Sequence, residues 1–342
     1  MGLCLNEVQG FMSEEDTPRA RAAEHRAHPG MMDWAACEHV PDEYLPLLLE
    51  EMDLEGTDPR RPAALQAEQA AEIPVLVIGC GESGRLAGIR LQQANIPFTI
   101  VEKNAGPGGI WWENRYPGAR VDVADHFYCY SFEPNNEWTH FFAEQPELQN
   151  YFARVMDKHG LAERVRWNTE VLTANWDDDD GVWRVSLRAA DGRVSTVTAR
   201  VLITAVGQLN RPHISEFDGA ETFSGPAFHS AAWDHRVDLN GKRVALIGVG
   251  ASGFQIAPAI AAQVEYLTVF QRTAQWMFPN PMYHDRVGDG VRWAMRHLPC
   301  YRRWYRFLLP WPGADKGLDA ARPTRIMPTR TTPSVTSMPR PA

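Results

Sequence analysis

The chain has 342 residues, 44% of them hydrophobic, which supplies ordinary cores and room for two domains at roughly 100 to 200 residues each. Its five cysteines, Cys4, Cys37, Cys80, Cys129 and Cys300, include no Cys-x-x-Cys pair, which argues against a disulfide framework, a zinc site or a dithiol redox centre and points to a reducing, cytoplasmic setting. The net charge of -9 is concentrated in residues 1–72, where 16 acids face 5 arginines; the near-neutral body speaks against nucleic-acid binding, and neither a secretory signal nor an apolar run of membrane-spanning length is evident.

Residues 1–70 read as an acidic helical extension, led by "PDEYLPLLLEEM" with Tyr44, Leu45, Leu47, Leu48 and Leu49, and closed by the breaker "GTDPRRP". It holds no chemical constellation, so its expected role is packing or support of a homodimer. From Ile73 the pattern changes. "IPVLVIG" is a buried-strand run ending in glycine, "SGRLAGIRLQQANI" has helical spacing, and "FTIVEK" is a second buried strand, together a βαβ unit with parallel pairing. "VLTANWDDDDGVWRVSL" reads as a hairpin turning at Asp180-Gly181, and "VSTVTARVLITAVG" as two more strands. The run Asp177–Asp180 reads as a solvated turn, with no metal site. At Gly241 the same grammar restarts in "GKRVALIGVGASGFQIAPAIAAQVEYLTVFQR". Past Leu318, "PTRIMPTRTTPSVTSMPRPA" has no acid and no periodic apolar face, so residues 319–342 are expected to be disordered.

In "GCGESG", Gly79, Gly81 and Gly84 fit G-x-G-x-x-G between a strand and a helix. The first serves the tight turn, the second the approach of a pyrophosphate, and the third the packing of helix on sheet. The following helix start, at Ser83, points free N–H groups at phosphate. Glu102 closes the second strand, where a carboxylate accepts hydrogen bonds from ribose hydroxyls, which suits FAD or NAD. The second loop, "GVGASG", carries Gly248, Gly250, Ala251, Ser252 and Gly253, and its distal strand ends in Gln271, Arg272 and Thr273 without an acid. Arg272 can pair with a 2′-phosphate, so this loop suits NADP. The expected fold class is α/β: two Rossmann-like three-layer domains behind the helical extension.

Between the loops stands "FSGPAFHSAAWD", which has neither helical nor strand periodicity. Phe223, Gly225, His229, Trp233 and Asp234 satisfy F-x-G-x-x-x-H-x-x-x-W-[PD], and on this fingerprint the chain resembles the Baeyer–Villiger monooxygenases among the class B flavoprotein monooxygenases. "GGIWWENRYPGARVDV" and "AVGQLNRP" extend the resemblance, and the helical extension is similar to that of the 4-hydroxyacetophenone monooxygenase branch. The resemblance covers about residues 40–318 and implies FAD at Gly79, Gly81, Ser83, Gly84, Glu102, Gly109, Ile110, Trp111, Asp122, Tyr128 and Val171. It implies NADPH at Gly248, Gly250, Ala251, Ser252, Gly253, Arg272 and Thr273, with the fingerprint residues in the linker. The implied reaction inserts one oxygen atom of O2 beside the carbonyl of an aryl or other hydrophobic ketone, through a flavin C4a-peroxide, to give an ester or lactone. Asp122 matches the family's aspartate that orients an arginine beside the flavin.

The implied domains are the extension 1–70, an FAD-binding domain 71–213, the linker 214–240, an NADP-binding domain 241–318, and the tail 319–342. The family's arginine and its return to the FAD domain have no counterpart before the tail, so a truncated or frameshifted chain of weak or no activity is expected. Two alternatives stay open: an S- or N-oxygenating flavin monooxygenase, and a non-catalytic nucleotide-binding remnant. A disulfide reductase is disfavoured by the missing cysteine pair.

Overall fold

The structure is a computed structural model and describes residues 29–275, 280–311 and 335–337. Two helices open it, α1 (29–36) and α2 (Leu45–Met52), followed by α3 (Ala67–Ala71). A strand–helix–strand unit follows, β1 (Val75–Ile78), α4 (Glu82–Gln93) and β2 (Phe98–Val101), then α5 (Ile110–Glu113) and α6 (Gln145–Lys158). Next come β3 (Val165–Arg166), β4 (Thr169–Asp177), β5 (Val182–Ala189), β6 (Val194–Ala199) and β7 (Val201–Thr204). A second strand–helix–strand unit is β8 (Arg243–Ile247), α7 (Ala251–Ala261) and β9 (Tyr266–Phe270). Last are α8 (Asp289–His297), α9 (Tyr301–Leu308) and β10 (Val335–Ser337).

Two compact units result, one from Met1–Pro59 with Trp293–Thr324, the other from Arg60–Arg292 with Arg325–Ala342. In the larger unit the order β3-β2-β1-β7 forms a parallel sheet, with Val75 opposite both Phe98 and Val201. Side chains alternate across a strand, so Val75 and Val77 face one layer while Leu76 faces the other. The first layer holds Ile89 of α4 with Leu148, Phe152 and Val155 of α6. The second holds Val185, Leu187 and Ala199 of the antiparallel sheet β4-β5-β6. Each fully buried aliphatic or aromatic side chain here contributes about 1.5–3 kcal/mol. Gly181, at φ +61°, lies in the turn between β4 and β5, where Asp177 and Asp180 both pair with Arg184.

β8 and β9 pair in parallel, and Ile256 and Ile260 of α7 pack with Leu267 of β9. Residues Val335–Ser337 pair antiparallel with Thr268–Phe270. Disorder expected across the tail is thereby corrected for these three residues: an edge strand offers unpaired N–H and C=O groups, and β-branched Val335 and Thr336 suit a strand. The rest of 319–342 lies outside the described residues.

The smaller unit has a core of Met32, Val40, Leu48, Met52, Phe307 and Trp311. Arg303 donates to Met52 O at 3.0 Å and pairs with Asp53 at 3.3 Å; Arg306 pairs with Glu51 at 3.0 Å. α9, which the sequence reading placed in the domain 241–318, packs on α2 instead. In "YRRWYRFL" the i, i+3 spacing of Trp304 and Phe307 forms an apolar face, with the arginines set beside the acids that end α2. No helix among the described residues is long and apolar enough to cross a membrane.

Candidate functional site

The carboxyl ends of β1 and β2 carry the first glycine loop. Gly79 has φ +99°, and a Cβ there would stand 2.6 Å from Ala205 O; on Gly84 it would stand 1.9 Å from Gly79 O. Those two glycines are demanded by the protein itself, one by backbone conformation and one by contact. Gly81 differs, since a Cβ there would meet only Gly109 Cα, at 3.6 Å. Gly109, at φ +56°, brings its loop over Gly81, and its own Cβ would lie 2.9 Å from Gly81 Cα. Two chain segments without side chains thus face each other at the start of α4, beside Ser83.

Glu102 is only 4% exposed, and both carboxylate oxygens are held by main-chain donors, Cys80 N at 2.7 Å and Asn104 N at 2.8 Å. Its remaining lone pairs make it an acceptor of fixed orientation. Ile110 and Trp111 open α5, where the Trp111 indole N–H donates to Tyr128 Oη at 3.1 Å and the rings meet edge-to-face at 6.0 Å. Burial pushes the Tyr128 hydroxyl up to about 12 and raises the carboxyl of Glu82 as well. Asp122 is exposed, two residues beyond Arg120. Val171 packs into the layer between the two sheets, with Leu76 and Val101.

The second loop repeats the first geometry. Gly248 has φ +98°, a Cβ on Gly253 would stand 2.2 Å from Gly248 O, and a Cβ on Gly250 would meet nothing within 4 Å. Ala251 and Ser252 form the first turn of α7; Arg272 and Thr273 follow β9, both exposed, and Arg272 has no ion pair among the described residues.

The linker residues are tied down unequally. Phe223 is 64% exposed, and its ring would stand 2.6 Å from a Cβ on Gly225. The His229 Nδ1 accepts from Ala231 N at 3.1 Å and caps the short turn Ser230–Ala232. Trp233 packs against the cluster formed by Ile256, Ile260, Val264 and Leu267. Asp234 grips Arg236 through two bonds of 2.8 Å, which hold its carboxyl down at about 2. Sequence reasoning missed Gln255, whose side chain bonds to Tyr116, Arg120 and Tyr283, and the buried pair Asp125 and His126. Neither lies in a motif, and a glutamine within an apolar helix gives no periodic signal. No group of three or more His, Cys, Asp or Glu side chains among the described residues could hold a metal ion.

The chain is similar to several known flavin-dependent monooxygenases. A Baeyer–Villiger monooxygenase of Pseudomonas aeruginosa is 40% identical over 239 residues, 69% of this chain and 44% of that protein. Epsilon-caprolactone-bound cyclohexanone monooxygenase in the Loose conformation superposes with a TM-score of 0.61 at 31% identity, over 71% of this chain and 46% of the other. OTEMO in complex with FAD and NADP gives 0.59 at 34% identity, over 66% and 43%. The chain therefore spans less than half the length of these relatives. Residues 73–306 match the pattern of the FMO-like, flavin-binding monooxygenase-like proteins, and the chain belongs to that family.

Proposed function

We propose that the chain binds FAD at the Gly79 loop and NADPH at the Gly248 loop, and serves a Baeyer–Villiger oxidation of an aryl or other hydrophobic ketone to an ester or lactone. The observation that carries this reading is the contrast between the two distal residues. Glu102 is a buried acceptor anchored on two N–H groups, suited to ribose hydroxyls, whereas Arg272 is an exposed cation, suited to a 2′-phosphate. The residues fit a dinucleotide: a Cβ on Gly109 would fill the cradle over Gly81, and the space at Gly250 is open.

Bound FAD would accept hydride from NADPH and activate O2, chemistry that no side chain performs. The chain's own residues bind and orient. The N-termini of α4 and α7 would offer N–H groups to the pyrophosphate of each dinucleotide, and Trp111 with Tyr128 forms a rigid wall beside the first loop. Asp122 supplies an exposed carboxylate able to hold a cation. The 40% identity to a Baeyer–Villiger monooxygenase and the linker ending in Trp233-Asp234 favour this oxidation over S- or N-oxygenation.

The test is to express residues 1–342, quantify bound flavin by absorbance, and follow NADPH consumption with an aryl ketone while identifying the product by mass spectrometry. Flavin retention is expected, with any ketone-dependent product being an ester or lactone. NADP binding without flavin would mark a nucleotide-binding protein, and N- or S-oxide formation without ester would overturn the substrate class.

A further inference from the structure

We propose that Gln255 is a positioning residue that transmits dinucleotide binding at Gly248–Gly253 to the segment Tyr116–Asp122; the inference rests on reading that loop as the NADP site. Gln255 lies three residues after Ser252 on α7, hence on the same helical face, and is buried. Its amide uses all four hydrogen-bonding positions. Nε2 donates to Arg120 O at 2.8 Å and to Tyr283 Oη at 2.9 Å, while Oε1 accepts from Tyr116 Oη at 2.9 Å and from Arg120 N at 3.4 Å. A primary amide offers two donors and two main acceptor sites, so nothing is left over.

The side chain therefore grips the main-chain N–H and C=O of Arg120 as a neighbouring strand would. A flipped amide would set donor against donor and acceptor against acceptor, so only one orientation fits. The segment is also seated on the helix without slack. Gly118 has φ +80°, and a Cβ there would stand 2.7 Å from Gln255 O and 2.9 Å from Ala259 Cβ. Through its bond to Gln255, Tyr116 joins the segment to α7 one turn beyond Ser252 of the glycine loop. On its far side Arg120 is clamped by Glu144 at 2.7 Å and by Tyr283 O at 3.0 Å. A shift of α7 on binding at its N-terminus is thus felt at Arg120, two residues from Asp122. Coupling through a packed hydrogen-bonded contact of this kind typically amounts to a several-fold change in affinity or opening.

The experiment is hydrogen–deuterium exchange on the full chain with NADP+ as the probe, its binding followed separately by calorimetry. In the unmodified protein, saturating NADP+ should slow exchange at residues 118–122 at least threefold. Gln255→Met, of similar length but without polar atoms, should bind NADP+ within about fivefold of the original affinity yet lose that slowing. A merely structural role would instead raise exchange equally with and without NADP+. Tyr116→Phe removes one bond and should at least halve the response; it decides the matter if Gln255→Met does not fold. NADP+ binding with no response at 118–122, or an unchanged response in the variants, overturns the proposal alone. A flat calorimetric titration overturns it together with the NADP reading.

Discussion

A Cβ on Gly84 would stand 1.9 Å from the carbonyl oxygen of Gly79, and one on Gly253 would stand 2.2 Å from that of Gly248, so both glycine loops close on their own backbone. No rotamer change relieves a backbone clash of that depth. Gly84→Ala and Gly253→Ala should each destabilise the protein by about 3 kcal/mol or more, by analogy with other over-packed contacts. Gly250→Ala is the contrast, since Gly250 has φ -64° and open space around it. Its Tm should hold or rise slightly because alanine restricts the unfolded chain. NADP+ affinity should nevertheless fall at least tenfold, and calorimetry beside a thermal melt separates the two kinds of glycine.

What was legible in the sequence follows from the range of the forces involved. β1, α4, β2 and the β4–β5 hairpin are written in local periodicity and turn chemistry, and the glycine loops in local sterics. The docking of α9 on α2 was not legible. It joins residues about 250 positions apart, and the same "YRRWYRFL" face could cover any apolar surface of the right width. The fingerprint residues were legible as a set while their separate duties were not, because a cap at His229 and a packed ring at Trp233 depend on partners that the motif does not contain.

Phe307 fills the centre of the smaller unit, 2% exposed between Trp304 and Trp311. Truncation to alanine should cost about 3–5 kcal/mol, the usual penalty for a buried aromatic ring. Leu45–Met52 should lose amide protection in Phe307→Ala while Val75–Val101 keeps it. Equal loss in both segments would show that the two units unfold as one.

Asp125 and His126 are adjacent, buried, and shifted in opposite senses. Loss of hydration pushes the Asp125 carboxyl up to about 8 against the pull of Ala143 N–H, and the same loss holds His126 down at about 4. The folded protein binds the Asp125 proton more tightly than the unfolded chain does, so between about pH 4 and 8 this group lowers stability as pH rises. His126 acts oppositely between about pH 4 and 6.5, because there only the unfolded chain is protonated. The two nearly cancel in that window, and Asp125 acts alone above it. From pH 6.5 to 8, stability should therefore fall by about 2 kcal/mol relative to Asp125→Asn, which keeps an acceptor for Ala143 N but does not titrate. Urea melts at both pH values check this, and parallel pH profiles for the two proteins would refute it.

Arg85 is the least expected residue in the core. It is fully buried on α4, and none of its three guanidinium nitrogens has a hydrogen bond among the described residues. The guanidinium lies over the Phe152 ring, 4.2 Å from its centroid, which contributes about 2 kcal/mol when desolvated. Removing a guanidinium from water without a carboxylate partner costs several kcal/mol, so desolvation wins. Arg85→Met keeps most of the volume and the contact with Phe152 while discarding the charge. It should stabilise the larger unit by about 1–3 kcal/mol and raise the Tm by roughly 2–8 °C. A lower Tm would mean that the guanidinium is held by a polar partner, and a search for an anion or an ordered water beside Phe152 would follow directly from that result.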